Sequence, residues 1–380
     1  MELHAGNRES LVNALKAHLS ASGRPLGIVL LKGGEEQTLY CTDRVPLFRQ
    51  ESYFAYLFGV REPGFYGAVD IASGQSILFA PRLTLDDVVW NGEKDLSFFK
   101  DTYKVDFFFY VDELAQPASF EGIEKFDTDL SMLHPILTEC RVIKSGMELD
   151  FIQYANDVSS KAHVEVMRQI KPGMKESQLE SIFIHHASMH EGCRHCSYTC
   201  ICATRHNIST LHYGHAGAPN DQTLNDGDMA LMDMGAEYNF YGSDITCSYP
   251  AVLRAHNDVI SHMQPGVKWI DMHNDIGDMM NQRLGAVFMP HGLGHLLGID
   301  THDPGGYPEG LERPKEPGLR SLRTIRELKE GMYVMAQGCK NLTNCPRETW
   351  EIEAVMAGAP WPSRDDCSSA IATENGLPKA

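Results

Sequence analysis

The chain has 380 residues, 43% of them hydrophobic and 22% charged, with 51 acidic against 33 basic side chains. That length predicts two domains or one large one, with ample material for a core. A net charge of −18 excludes a nucleic-acid binder, which needs a basic surface to displace phosphate counterions. No apolar run reaches the roughly 20 residues of a membrane helix, and the N-terminus lacks the basic stretch and apolar core of a signal peptide. A cytoplasmic protein without membrane or nucleic-acid partners is expected, and its ten cysteines read as reduced thiols.

In chain order, the first third reads as an α/β unit. Leu11–Leu19 has helical spacing, and Leu26–Leu31 is a short apolar strand ended by Gly33-Gly34. Phe65–Asp70 and Gln75–Ala80 flank Ile71-Ala-Ser-Gly74, which predicts a hairpin. Val105–Val111, carrying Phe107, Phe108 and Phe109, predicts a further buried strand. No grouping of titratable residues here points to chemistry, so this unit is expected to cover a site or provide a dimer surface.

A boundary falls near His134-Pro135 or Arg141, dividing the chain into 1–140, 141–357 and a disordered tail 358–380 rich in Ala, Ser, Pro and charge. Ser145-Gly-Met-Glu148 has the form of a capping box. It opens a helix with apolar positions from Leu149 to Ile170, stopped by Lys171-Pro-Gly173. A second helix runs from about Lys175 to His190 with Leu179, Ile182, Phe183 and Ala187 inward, and His185, His186 and His190 read as surface or packing residues. Cys193, Cys196, Cys200 and Cys202 are the residue types of a structural zinc site. However, Ser197–Ala203 reads as an apolar strand, which puts Cys200 and Cys202 on one packed face instead.

The chemistry concentrates further on. Asp228-Met-Ala-Leu-Met-Asp-Met-Gly235 places Asp233 inside an apolar strand, and Asp244 follows on a strand joined to it through a glycine-containing turn. A carboxylate buried in a strand is costly unless it is paired or binds a cation. Phe288–Asp303 then holds three histidines and two aspartates within 16 residues. Its glycines at 292, 294 and 298 argue against a regular helix, so His291 and His295 are not expected to form a helical i, i+4 zinc pair. Carboxylate oxygens with an imidazole suit Mn²⁺, Zn²⁺ or a similar divalent ion.

These stretches resemble prolidase, the Xaa-Pro dipeptidase family of pita-bread metallopeptidases. The resemblance is carried by Leu211-His-Tyr-Gly-His-Ala-Gly217, Met232-Asp-Met-Gly-Ala-Glu-Tyr238, Tyr241-Gly-Ser-Asp-Ile-Thr246, Phe288–Asp303 and Glu316-Pro-Gly-Leu-Arg-Ser-Leu-Arg-Thr324. It implies a mixed α/β (α+β) architecture: an α/β N-terminal domain, then an incomplete creatinase/aminopeptidase-like catalytic domain. It also implies a homodimer that cleaves dipeptides with C-terminal proline or hydroxyproline using two Mn²⁺ ions. By motif, Asp233, Asp244 and His295 correspond to metal ligands. His212 and Arg323 correspond to substrate-binding positions, and His302 and His291 to catalytic ones.

The resemblance breaks at the C-terminal end, where the family supplies two glutamate ligands. By count, Gln337 in Gly331-Met-Tyr-Val-Met-Ala-Gln-Gly338 occupies the first glutamate position, and the strand carrying the second has no counterpart. Arg347–Met356 reads as a helix that leaves Glu348, Glu351 and Glu353 in water. Shorter gaps fall around Ala251–Asn257 and Asn274–Gln282. Two carboxylates cannot balance the four positive charges of two divalent ions, so a single, weakly held ion and little or no turnover are expected. The alternative is a catalytically inactive pita-bread scaffold that dimerises with, or regulates, a full-length partner.

Overall fold

The computed structural model describes residues 2–24, 26–83, 92, 94–113, 127–214, 218–226, 228–248, 266–270, 291–315, 319–334, 351 and 355. Gln337, Glu348, Glu353, segments 251–257 and 274–282 and the tail 358–380 lie outside the described residues. The chain divides into two compact units, Met1–Arg141 and Val142–Ala380. Among the described residues, no helix is long and apolar enough to cross a membrane.

In the first unit, α1 (Glu2–Ser22) precedes β1 (Ile28–Lys32), α2 (Ser52–Phe58), β2 (Tyr66–Asp70), β3 (Ser76–Ala80), α3 (Leu96–Thr102), β4 (Phe107–Tyr110) and α4 (Leu133–Val142). The strands form one sheet in the order β1-β2-β3-β4. The predicted hairpin is present as β2 and β3, paired antiparallel. Its turn is held by the Asp70 carboxylate, which accepts from Ala72 N at 3.0 Å and Ser73 N at 3.3 Å. Helix α1 covers the end of α2, because Asn7 and Arg8 donate to the carbonyls of Tyr56 and Leu57 at 2.9 and 2.6 Å. The last carbonyls of a helix lack the donors of a following turn, and these side chains supply them.

The expectation of a buried strand over Val105–Val111 needs correction. Among the described residues, β4 pairs with β3 alone, in parallel, at the sheet edge. Phe108 is 6% exposed, but Phe107 and Phe109 are 43% and 41% exposed. An apolar run predicts burial on both faces only for a central strand; an edge strand with one covered face buries alternate residues.

The second unit is built on α5 (Gly146–Gln169) and α6 (Glu176–Glu191), which pack on each other. The capping box is present: Ser145 Oγ accepts from Glu148 N, and the Glu148 carboxylate accepts from Ser145 N at 2.7 Å. Among the described residues, six short strands follow: β5 (His195–Cys196), β6 (Ile201–Thr204), β7 (Ala230–Asp233), β8 (Ala236–Tyr238), β9 (Tyr241–Gly242) and β10 (Thr246–Ser248). They make two sheets, β10-β7-β6 and β5-β8-β9. Cys200 and Cys202 share a core with Phe183 of α6 and Met232 of β7, while Ile201 and Ala203 face a second cluster around Tyr213. The alternation read from the sequence therefore holds.

β7–β8 and β9–β10 are the two arms of one long hairpin that passes from one sheet into the other. At the crossing, Met234 N donates to Ile245 O at 3.0 Å and Ser243 N to Ala236 O at 3.1 Å. Gly235 is required there, since a Cβ would fall on the Ser243 carbonyl.

Candidate metal centre

The crossing in the hairpin is where the two aspartates meet. Asp233 is the last residue of β7 and lies opposite Thr246 of β10. Asp244 lies between β9 and β10 and not on a strand as expected, because the ladder changes sheet at that point. Tyr198, unremarked in the sequence, joins them: its hydroxyl lies 2.5 Å from Asp233 Oδ1 and 3.1 Å from Asp244 Oδ1. Loss of water and the neighbouring Asp244 charge push the Asp233 carboxyl up to about 7, while the bond from Tyr198 acts in the opposite sense. Burial, then the two carboxylates, raise the Tyr198 phenol well above its ordinary range and keep it a donor. The signal for Tyr198 was its place midway through the segment joining β5 to β6, which spacing alone does not mark.

His295 approaches from a separate segment without helix, as the glycines predict. Leu296 bridges to Val334, Leu297 N donates to Tyr333 O, and Gly242 N of β9 donates to Gly298 O at 3.0 Å. Thus anchored, His295 is 5% exposed. Its Nδ1 lies 3.0 Å from Leu296 O and its Nε2 3.3 Å from Asp244 Oδ2. A carbonyl only accepts, so Nδ1 carries a hydrogen and donates to Leu296 O, while Nε2 faces the Asp244 carboxylate. A proton or a cation can be shared at that separation.

His302 packs edge-on against His295 with ring centroids 4.4 Å apart. Loss of water, then the fields of His295 and Arg323, lower its imidazole to about 4, and His212 and Asp244 act on it as well. His302 is thereby neutral at pH 7 and has His212, Arg323, Asp244 and His295 as electrostatic neighbours. Burial and Arg313 lower the Arg323 guanidinium. His291 stands apart: its Nδ1 lies 3.0 Å from the adjacent Gly292 O, and among the described residues it makes no hydrogen bond or ion pair with the cluster. The other sequence-derived positions come together.

A family profile described as "Metallopeptidase family M24" matches residues 150–337. A second, "Aminopeptidase P, N-terminal domain", matches residues 4–119. The Xaa-Pro dipeptidase of Homo sapiens is 46% identical, over 89% of this chain and 80% of that protein. The chain belongs to the M24 metallopeptidase family. A probable Xaa-Pro aminopeptidase of Verticillium alfalfae is 30% identical over 82% of this chain and 78% of its own length. Zn-substituted E. coli aminopeptidase P in complex with product superposes with a TM-score of 0.73 at 23% identity, covering 94% of this chain and 98% of the other. That likeness shows the fold, an α/β N-terminal domain followed by a pita-bread domain.

Among the described residues, the donor set does not fit two ions. Among the described residues, no group of three or more His, Cys, Asp or Glu side chains is arranged to hold a metal. Asp233 and Asp244 bring at most two negative charges, since the Asp233 carboxyl is raised to about 7, and one oxygen of each is already engaged by Tyr198. Asp244 Oδ2 and His295 Nε2 face one position between them.

Proposed function

We propose that this chain binds dipeptides with C-terminal proline or hydroxyproline, holds at most one divalent cation such as manganese, and hydrolyses its ligand slowly or not at all. The observation that carries this reading is the convergence of a neutral His302 with His295, Arg323 and His212 beside the Asp233–Asp244 pair. Family membership supports the ligand class, and the donor set supports the weak chemistry.

The residues have separable roles in this proposal. Arg323 offers a planar pair of N–H donors to the ligand's free carboxylate. His212 holds the same end of the dipeptide. Neutral His302 donates a hydrogen bond to the carbonyl oxygen of the scissile bond as charge gathers on it. Asp244, His295 and Asp233 would hold the cation, which when bound polarises that carbonyl and acidifies a water. The proline nitrogen of the bond carries no hydrogen, so the site needs no acceptor for it.

Homodimerisation through residues 1–140 belongs to the same proposal and is read by sedimentation. The function is tested by adding Gly-Pro to the purified chain with and without Mn²⁺. Calorimetric uptake of Gly-Pro that Arg323→Ala removes, with hydrolysis no faster than in Asp244→Ala, is the expected result. Rapid turnover abolished by Asp244→Ala rejects the weak-activity part, and absence of Gly-Pro uptake rejects the ligand.

A further inference from the structure

We infer that Glu176, buried at the start of α6, is a positioning residue that holds His212 at the dipeptide-binding end of the site. This rests on the reading of His212 given above and extends it to a residue about which family motifs and spacing were silent.

Glu176 is 0% exposed and is the first residue of α6, where the positive end of the helix favours a carboxylate. Its Oε1 accepts from Thr204 N at 2.8 Å, Thr204 Oγ1 at 3.1 Å and Asn207 Nδ2 at 2.9 Å, and its Oε2 accepts from Tyr213 OH at 2.8 Å. Thr204 ends β6, Asn207 lies in the 3-10 turn Arg205–Ser209, and Tyr213 lies beyond that turn. One carboxylate therefore grips both ends of the segment 204–213. Loss of water and the Glu176 charge push the Tyr213 phenol up to about 12, so it stays a donor.

His212 is the exposed residue immediately before the second grip. On its other side, Gly214 adopts φ +102, and a Cβ there would lie 2.5 Å from Cys200 O. The backbone is thus fixed at Tyr213 by a charge-assisted bond and at Gly214 by close approach to the main chain of Cys200. His212, whose field reaches His302, hangs from this clamp with its backbone already ordered. A ligand that uses His212 then loses little chain entropy on binding.

A strut that served stability alone would also be buried and fully bonded, so the test separates the two. Tyr213→Phe keeps the buried ring and removes the hydroxyl, with its bond to Oε2 and the one it accepts from Asn220 N; Glu176→Gln keeps the shape and most of the acceptor capacity and serves as the conservative rescue. For the full-length chain, the readouts are amide hydrogen exchange across residues 204–214, the ring signals of His212, and calorimetric affinity for Gly-Pro. The expected result for Tyr213→Phe is exchange faster by about tenfold in that segment, one charge-assisted hydrogen bond's worth, unchanged exchange in α5, and a several-fold loss of Gly-Pro affinity. Glu176→Gln is expected to lie between that variant and the wild type. Unchanged exchange in Tyr213→Phe overturns the inference, and so does faster exchange with unchanged affinity, which leaves Glu176 as a strut. If the wild type takes up no Gly-Pro, the dipeptide reading fails on its own. The His212 ring signals then decide for Glu176: movement in Tyr213→Phe supports positioning, and no movement overturns it.

Discussion

Asp244 and His295 face one another across 3.3 Å, oxygen to nitrogen, with both side chains only 7% exposed. The other ring nitrogen of His295 is committed to Leu296 O, so Nε2 and the Asp244 carboxylate face one position. Added Mn²⁺ is therefore expected to bind at a single site, and Gln337→Glu, which restores the acidic residue that the family motif has at that position, is expected to tighten it. Isothermal titration with each protein checks this. Two tightly bound ions in the unmodified chain would show that carboxylates elsewhere complete the centre.

Tyr198 has the opposite role in the cation-free protein, since its hydroxyl links two carboxylates that would otherwise repel. Tyr198→Phe leaves both buried oxygens without that donor, and a loss of about 1–3 kcal/mol is expected. Because Mn²⁺ can replace the missing hydrogen bonds with charge, it is expected to stabilise Tyr198→Phe more than the wild type. Urea unfolding with and without the ion measures both quantities; an equal response to Mn²⁺ would place the ion away from these carboxylates.

A pH dependence follows from His163, buried in α5 with its Nε2 3.0 Å from Met234 O. Burial lowers this imidazole from 6.5 to about 4. Above pH 6.5 both folded and unfolded chains hold it neutral and it contributes no slope. Below 6.5 the unfolded chain takes up a proton that the folded chain refuses, so stability falls by about 1.4 kcal/mol per pH unit until the folded group titrates near 4. A total loss of about 3 kcal/mol is expected over that window. Urea unfolding of wild type and His163→Gln at pH 7.5, 5.5 and 4.5 isolates it, the variant showing the shallower slope.

Much of this was legible in the chain because local rules and burial agreed. The capping box at Ser145, the alternation of Cys200 with Ile201, and a carboxylate inside the apolar run at Asp233 each announce themselves within a few residues. Tyr198 and Glu176 do not, since their meaning comes from partners up to 46 and 37 positions away. An edge strand also reads like a central one: Phe107 and Phe109 are apolar, and only the sheet order exposes them. Asp244 was placed correctly beside Asp233, but the change of sheet that takes it off the strand is set by the close approach at Gly235, a tertiary fact.

Behind His302 lies a buried ion pair that the sequence did not mark either. Lys144 Nζ and Asp303 Oδ2 are 2.7 Å apart, with both side chains 1% exposed. Lys144 precedes the cap of α5, and its own N–H donates to Gly331 O. Asp303 Oδ1 accepts from Asp300 N at 3.3 Å, and the Asp303 carboxylate fills the space a Cβ on Gly298 would need. The pair thus closes the loop that displays His302 from both ends. Removing one partner strands a charge with almost no water, so Lys144→Met or Asp303→Asn alone is expected to cost about 3–5 kcal/mol. The double variant Lys144→Met with Asp303→Leu removes both charges and is expected to recover most of that loss. If the pair serves only to hold the loop, the double variant should fold with near wild-type stability and still show weakened Gly-Pro uptake, because His302 loses its fixed setting against His295. Chemical unfolding together with calorimetry separates the effects; full recovery of both stability and binding would show that the ion pair contributes nothing to the placement of His302.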